Sequence, residues 1–185
     1  MTSPDINQIF SELQRVFALI RKEQTEILMQ SILKADRVFV AGAGRSGLMM
    51  RAFAMRMMHL GLNVYVVGET TTPNISQGDL LIVGSGSGAT GSLVHMAERA
   101  KKYQAGVALI TIYPESPIGR IADHIVEIAA STPKSEQKAA SVSVQPMGSL
   151  FEQVLLLYLD WLVMQGMVAK NKDEGQMFAR HANLE

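Results

Sequence analysis

The sequence predicts an α/β fold with an open, mainly parallel sheet of five strands that helices cover on both faces. Short apolar runs alternate with helical patterns along the chain, which is typical of parallel βαβ units. The runs are apolar at nearly every position, as expected for strands buried on both faces. They lie at about 38–41, 64–67, 80–83, 107–112 and 125–128.

Helices are predicted between these strands and at both ends of the chain. Apolar residues recur at helical spacing in an N-terminal segment at about 5–34, and helices are also expected at 49–60 and 92–102. A strongly apolar helix at about 148–170 has apolar residues around much of its circumference. One subunit could hardly bury all of them. We therefore expect this helix and the tail at 173–185 to form an oligomer interface, with the N-terminal helix as a further candidate contact.

Length and composition favour a single soluble domain over residues 1–185. Hydrophobic residues make up 48% of the chain and charged residues 18%, which is too apolar for disorder. The 17 basic and 17 acidic residues balance, so no net charge favours nucleic acid or a membrane surface. There is no cysteine, which excludes thiol chemistry and cysteine-bound metals. The N-terminus carries Asp5 and Glu12 rather than the basic and apolar regions of a signal peptide. We expect a cytoplasmic protein.

The most informative segment is a loop of glycines and hydroxyl residues that follows the run at 80–83. Ser85, Ser87 and Thr90 lie among three glycines where a strand is expected to lead into a helix. Glycines let the backbone approach a ligand closely, and the unpaired N–H groups of a helix start favour an anion. The loop contains no lysine, so it is not a P-loop. It predicts a site for a single phosphate held by neutral donors.

A second glycine motif follows the run at 38–41 and allows another interpretation. The segment 42–47 reads GAGRSG, and Glu69 lies 22 residues after it, as in a dinucleotide-binding fingerprint. Against that reading, Arg45 and Ser46 add donors suited to a sugar phosphate. The sheet also has five predicted strands rather than six. A further alternative is that the glycines only permit tight turns, but this explains two such loops poorly.

The two loops in a strand–helix alternation resemble the sugar isomerase (SIS) domain family. Further stretches resemble the branch of that family that isomerises 3-hexulose 6-phosphate, and they are spread from residue 41 to residue 185. They read AGAGRSGLMMRAFAMRMMHLG, NVYVVGET, GDLLIVGSGSGAT, QPMGSLFEQ and HANLE. The last two are more specific to that branch than the glycine loops.

The resemblance implies a three-layer, flavodoxin-like fold and a homo-oligomer, expected to be a tetramer. It also implies conversion of D-arabino-3-hexulose 6-phosphate to D-fructose 6-phosphate through an enediol(ate). That reaction belongs to the ribulose monophosphate pathway of formaldehyde fixation or detoxification, with 3-hexulose-6-phosphate synthase as functional partner. No redox change occurs, so no cofactor is expected. The four histidines lack a ligand spacing, so no metal is expected either. Two alternatives remain: isomerisation of another sugar phosphate, and a non-catalytic sugar-phosphate sensor.

The resemblance also assigns candidate site residues. The hydroxyls of both loops are expected to bind the substrate phosphate, although some of them could serve only as helix caps. These hydroxyls belong to Ser46, Ser85, Ser87 and Thr90. Glu152 is the candidate base, but Ser149 and Glu152 also match a capping box, in which Glu152 would only close a helix turn.

The remaining candidates are histidines and lower-ranked substrate contacts. His181 is a candidate acid or proton relay if the tail docks in a neighbouring subunit, although a chain end is often frayed. His59 is the other candidate, and its position at a helix end could instead serve the helix dipole. Gly44, Arg45 and Gln145 are further candidate contacts to substrate, and Arg45 could instead pair with Glu69.

Overall fold

Five parallel strands form a single sheet in the computed structural model, which describes residues 5–130 and 143–184. The strands are β1 (Val38–Gly42), β2 (Val64–Val66), β3 (Leu80–Gly84), β4 (Gly106–Thr111) and β5 (His124–Glu127). Their order across the sheet is β2-β1-β3-β4-β5, which is the doubly wound order of flavodoxin-like folds. The predicted fold class is confirmed, and each strand lies within two residues of its expected position.

Helices cover the sheet on both faces and make three layers. They are α1 (Ile6–Phe17), α2 (Lys22–Lys34), α3 (Gly44–His59), α4 (Gly91–Lys102), α5 (Ser149–Ala169) and α6 (Glu174–Phe178). Alternate strand residues point to opposite faces. Val40 and Ile82 therefore pack with α2, α3 and α5, whereas Ala41 and Val83 pack in the cluster that contains α4.

Two predicted helix boundaries are wrong. The N-terminal segment at 5–34 forms two helices, because the chain turns after Phe17 and Arg21 takes an extended conformation. The apolar pattern continues through that turn, since Ile20 packs against the core, and this hid the break. Helix α3 starts at Gly44 rather than at residue 49, so the first glycine loop is itself the first turn of a helix.

Helix α5 is long and apolar enough, by length and composition alone, to cross a membrane. Ten of its residues are buried in the structure, where the helix packs against α1, α2 and α3. These contacts are those of a core helix. They also place its first turn beside the carboxyl edge of the sheet.

The polar segment 129–146 lies largely outside the described residues. Its last part, 143–146, leads through Met147 and Gly148 into α5. The tail at 173–185 begins with α6, which has a capping box formed by Asp173 and Gln176.

Candidate active site

The two glycine-rich loops begin side by side at the carboxyl edge of the sheet. Gly42 ends β1 and pairs in register with Gly84, the last residue of β3. Neighbouring strands lie about 4.8 Å apart. Chain connections leave β1 towards β2 on one side and β3 on the other, so this point is the topological switch of the sheet. Ligands of open α/β sheets bind at such a switch point.

The first loop owes its glycines to backbone geometry. Gly44 has a φ of +56°, a conformation that favours glycine. A Cβ on Gly42 would lie 2.9 Å from Gly47 Cα, so the strand end and the helix start can approach only without side chains. Ala43 caps α3 without a side-chain hydrogen bond, which leaves backbone N–H donors of the first turn for a ligand. Ser46 lies in this turn.

In the structure, the acidic residue that the dinucleotide interpretation requires is engaged in another contact. Glu69 forms an exposed ion pair with Arg51. Its predicted alternative partner, Arg45, pairs elsewhere. Close packing of β1 against α3 accounts for Gly42 and Gly47, and the positive φ accounts for Gly44.

The second loop is held in shape from within. Ser85 is buried, and its Oγ accepts a hydrogen bond of 3.1 Å from the N–H of Gly88. Ser87 is exposed, and its Oγ lies 3.3 Å from the N–H of Ala89. Thr90 is the N-cap of α4 but makes no side-chain capping hydrogen bond. The predicted capping role is therefore absent at Thr90, and its hydroxyl remains able to meet a ligand.

A polar layer beneath the second loop supports it. Thr111, which is fully buried, donates its hydroxyl to Gly86 O at 3.1 Å. Ser116 lies against Gly88, which has a φ of +56°, and a Cβ on Gly88 would collide with the Ser116 hydroxyl. The end of β4 and the turn after it thus fix the path of the loop.

Both loops line one cleft of about 380 Å³ that also contains the start of α5. All four predicted phosphate-binding hydroxyl residues line it, and so does Glu152. The remaining lining side chains are mainly apolar. They include Leu93, Ile112, Met147 and Phe151. A polar end with hydroxyls and backbone donors, together with a carboxylate, is suited to an anionic polyol.

Glu152 faces the cleft rather than capping its own helix. The N-cap of α5 is Gly148, and no side-chain capping hydrogen bond is present there, so the capping-box alternative is wrong. Arg45 Nε lies 3.1 Å from Glu152 Oε2. Arg45 also donates from Nη1 to Ser149 Oγ at 3.1 Å. The guanidinium therefore spans the first turns of α3 and α5.

The two candidate histidines lie together, but not in this cleft. The rings of His59 and His181 stack with centroids 5.5 Å apart, and His181 also stacks on Phe178. Both line a separate groove of about 610 Å³ between α3, α5 and α6. His59 is 13 residues beyond Ser46 on the same helix, which amounts to about 20 Å. Within one subunit, the histidines and Glu152 do not share a site.

The environment of His59 favours its neutral form. Burial of the ring lowers the pKa of His59 below its usual 6.5, and the nearby charges of Arg56, His181 and Arg180 lower it further. Arg56 Nη1 lies 3.3 Å from His59 Nδ1. A neutral imidazole can accept or relay a proton.

The lower-ranked candidates have other positions. Gln145 is buried, and its Nε2 donates to Glu12 Oε2 at 3.1 Å, so its side chain is engaged away from the cleft. Gly44 shapes the first turn of α3, but it is not among the cleft-lining residues. Arg45 reaches the cleft carboxylate instead of Glu69.

Sequence reasoning missed the residues that follow β4 and those that precede α5. Ile112 and Tyr113 line the cleft because β4 ends at the same sheet edge as β1 and β3. That signal was available in the strand prediction. Met147, with a φ of +54°, and Gly148 complete the rim, and only the three-dimensional path of the chain places them there.

No cluster of three or more histidine, aspartate or glutamate side chains that could hold a metal occurs among residues 5–130 and 143–184. This absence does not test the expectation of a metal-free reaction, which stays a prediction. The cleft lining offers hydroxyls, backbone amides and the carboxylate of Glu152, which pairs with the Arg45 guanidinium.

Comparisons with known proteins agree with this geometry. Residues 31–157 match the SIS domain model. The 3-hexulose-6-phosphate isomerase of Bacillus subtilis (strain 168) is 47% identical over 184 residues, which cover 100% of this chain and 99% of that protein. The protein of the same name from Mycobacterium gastri is 44% identical, with 98% and 90% covered.

A solved structure extends the likeness to three dimensions. A hypothetical protein from Methanococcus jannaschii is 36% identical, with a TM-score of 0.82. From its structure a molecular function of 3-hexulose-6-phosphate isomerase was inferred. The alignment covers 97% of this chain and 96% of that one. The chain belongs to the SIS domain family.

Proposed function

We propose that this protein is an isomerase that converts D-arabino-3-hexulose 6-phosphate to D-fructose 6-phosphate. The observation that carries the proposal is that Glu152 lies in the same cleft as the hydroxyls of both glycine loops. Full-length relatives at 44% and 47% identity bear the name 3-hexulose-6-phosphate isomerase. The reaction would follow formaldehyde condensation with ribulose 5-phosphate in the ribulose monophosphate pathway, with the synthase of that step as functional partner.

The polar end of the cleft holds the phosphate. Ser46 lies in the first turn of α3, and Ser87 lies in the second loop, three residues before the N-cap of α4. Ser85 and Thr90 complete the set. Hydroxyls and N–H groups at helix starts bind an anion without a fixed positive charge. Because the phosphate is anchored there, the carbon chain extends towards α5.

Glu152 moves the proton that defines the reaction. Its carboxylate removes the proton from C2, and the electrons of that bond form the C2–C3 double bond of an enediol(ate) while O3 gains a proton. Returning the proton to C3 and releasing one from O2 forms the new carbonyl at C2. Arg45 holds the carboxylate in place at 3.1 Å. Atoms and electrons balance without a redox cofactor.

A proton must also be delivered to O3 and another removed from O2, which requires a second acid–base group. We assign this role to the histidine pair of a neighbouring subunit. Arg45, Leu48, Ala52, Met55 and His59 form one stripe along α3, at spacings of three or four residues. Leu48 and Met55 are exposed large apolar residues. Ala52 is the centre of the stripe, with Arg45 seven residues before it and His59 seven residues after it.

A twofold axis at Ala52 would align two α3 helices antiparallel. It would place His59 of the second copy opposite Arg45 of the first, and so near Glu152. Because His181 stacks on His59, the tail of that copy would arrive with it. A dimer of this kind would cover the exposed residues Leu48 and Met55 of α3, and we expect two such dimers to form a cytoplasmic homotetramer.

One assay tests the reaction. The purified protein is supplied with 3-hexulose 6-phosphate made in situ by its synthase, and fructose 6-phosphate formation is followed. We expect turnover by the wild-type protein and a loss of at least about 100-fold in kcat for Glu152→Gln, which retains shape but not basicity. Binding of the sugar phosphate without product would favour the sensor, and product only from another sugar phosphate would favour a different isomerase.

A further inference from the structure

A buried carboxylate lies outside the cleft and is not used by the proposed chemistry. Glu12 of α1 is only 6% exposed. Its Oε2 accepts hydrogen bonds from Ser143 Oγ at 2.8 Å and from Gln145 Nε2 at 3.1 Å. Its Oε1 accepts a hydrogen bond of 2.8 Å from the backbone N–H of Val144. All three donors belong to one short segment that is more than 130 residues away in sequence.

The arrangement is specific for an ionised carboxylate. Burial of Glu12 opposes ionisation, but the hydrogen bonds from Gln145, Val144 and Ser143 outweigh it and hold its pKa below the usual 4.5. Arg15, one turn further along α1, contributes favourable charge. A carboxylate provides acceptors for all three donors, whereas an amide would turn a donor towards one of them. Charge-assisted hydrogen bonds of this kind are stronger than neutral ones.

The segment that Glu12 holds leads directly into the cleft. Gln145 is followed by Pro146 and then by Met147, whose φ of +54° is unusual for a residue with a side chain. Met147 and Gly148 line the cleft, and Gly148 is the N-cap of α5. Glu152 lies in the first turn of that helix. Gln145, which Glu12 holds, is therefore only seven residues before the candidate base Glu152.

We propose that Glu12 is a positioning residue of the active site, which fixes the 143–148 segment and thereby the rim of the cleft and the placement of Glu152. The inference rests on the proposed function of the cleft. Glu12 touches neither substrate nor the reacting atoms. It differs from a residue that only stabilises α1, because its partners are all in the segment that enters the site.

The phosphate loops supply an internal comparison. The first loop, after β1, is shaped by the close approach of Gly42 to Gly47. The second loop, after β3, is held by Thr111 and lies against Ser116, and none of these contacts involves the 143–148 segment. Loss of the Glu12 anchor should therefore affect the base more than the phosphate site. A displacement of a catalytic group by about 1 Å can cost about 100-fold in rate.

The test compares Glu12→Gln, the exchanged pair Glu12→Gln/Gln145→Glu, and Glu26→Gln, which removes an exposed carboxylate on α2. We expect Glu12→Gln to lower kcat by about 10- to 100-fold. The dissociation constant of inorganic phosphate should stay within about twofold of the wild-type value, because the phosphate loops keep their own support. The exchanged pair restores a carboxylate to the cluster and should recover most of kcat. Glu26→Gln should match the wild type.

A second measurement does not depend on activity. Hydrogen exchange of the Val144 amide should be slow in the wild type and at least about tenfold faster in Glu12→Ala, because its acceptor is removed. Unchanged kcat in folded Glu12→Gln, parallel losses of kcat and phosphate binding, or no recovery in the exchanged pair would overturn the proposal. A wild-type protein that exchanges Val144 slowly but isomerises nothing would instead overturn the proposed function.

Discussion

Arg45 Nε lies 3.1 Å from Glu152 Oε2, and this ion pair joins the first turn of α3 to the first turn of α5. The Arg45 side chain is 56% exposed, so the pair contributes little to folding stability, in the range of about 0–1 kcal/mol for exposed pairs. Its importance is geometric. The same guanidinium also donates to Ser149, so it orients the carboxylate against the loop that bears Ser46.

Replacing Arg45 by glutamine should therefore lower kcat while leaving the fold intact. We expect a loss of about 10- to 100-fold, because the carboxylate loses its orienting partner. Steady-state kinetics and thermal unfolding measure the two effects separately. Arg51→Gln is the matched control, since Arg51 lies on the same helix and pairs with Glu69 on the surface. Equal kinetics for the two variants would contradict an orienting role for Arg45.

Ser87→Ala should weaken substrate binding rather than the chemical step. A hydrogen bond to a charged group contributes about 1.5–3 kcal/mol, so KM should rise by about tenfold or more. Ser92→Ala, in the first turn of α4 and outside the cleft lining, should leave KM unchanged. An unchanged KM for Ser87→Ala would remove that hydroxyl from the phosphate site.

The strands and loops were predictable because their signals are local. Apolar runs followed by glycines located the edge at which Gly42 and Gly84 pair. The pairing of Arg45 with the start of α5 was not predictable, because Arg45 and Ser149 are 104 residues apart and no local pattern links them. The capping-box motif at Ser149 and Glu152 was misleading for the same reason. A distant guanidinium and the N-cap at Gly148 decide where Glu152 points.

Gln145 is the opposite case: it is close to the candidate site residues in sequence, but its side chain is engaged elsewhere in space. Its motif placed it beside the cleft, but Glu12 of α1 holds its side chain. Glu12 gave no signal in the sequence, since a single glutamate in an amphipathic helix is typical of a solvated face. Only the fold shows that it is buried.

Protonation of His59 should make stability depend on pH. Burial, Arg56, His181 and Arg180 lower its folded-state pKa below 6.5. The unfolded chain therefore binds a proton first as pH falls through about 6.5, so the free energy of unfolding decreases until the folded-state pKa is passed. Asp160 and Glu174 line the same groove and are part of its electrostatic environment.

Urea unfolding between about pH 7.5 and 5.5 measures this effect. His59→Gln should flatten the decline, and His95→Gln, which changes an exposed histidine on α4, should not. An identical pH dependence of the free energy of unfolding in His59→Gln and the wild type would show that His59 titrates alike in the folded and unfolded states.

Mixing two inactive variants should restore activity if the histidines act across subunits. Glu152→Gln lacks the proposed base, and the double variant His59→Ala/His181→Ala lacks the stacked pair. In a mixed twofold dimer, one cleft combines the intact Glu152 of one copy with the intact histidines of the other. One of the two clefts of each mixed dimer is then complete, so about half of wild-type activity should return in the purified mixed dimer. The variants are co-refolded or co-expressed with different tags, and the mixed species is purified before the assay.

Each variant co-refolded with itself is the control and should stay inactive. Activity that never exceeds these controls in a purified mixed dimer would show that the histidines serve their own subunit or none.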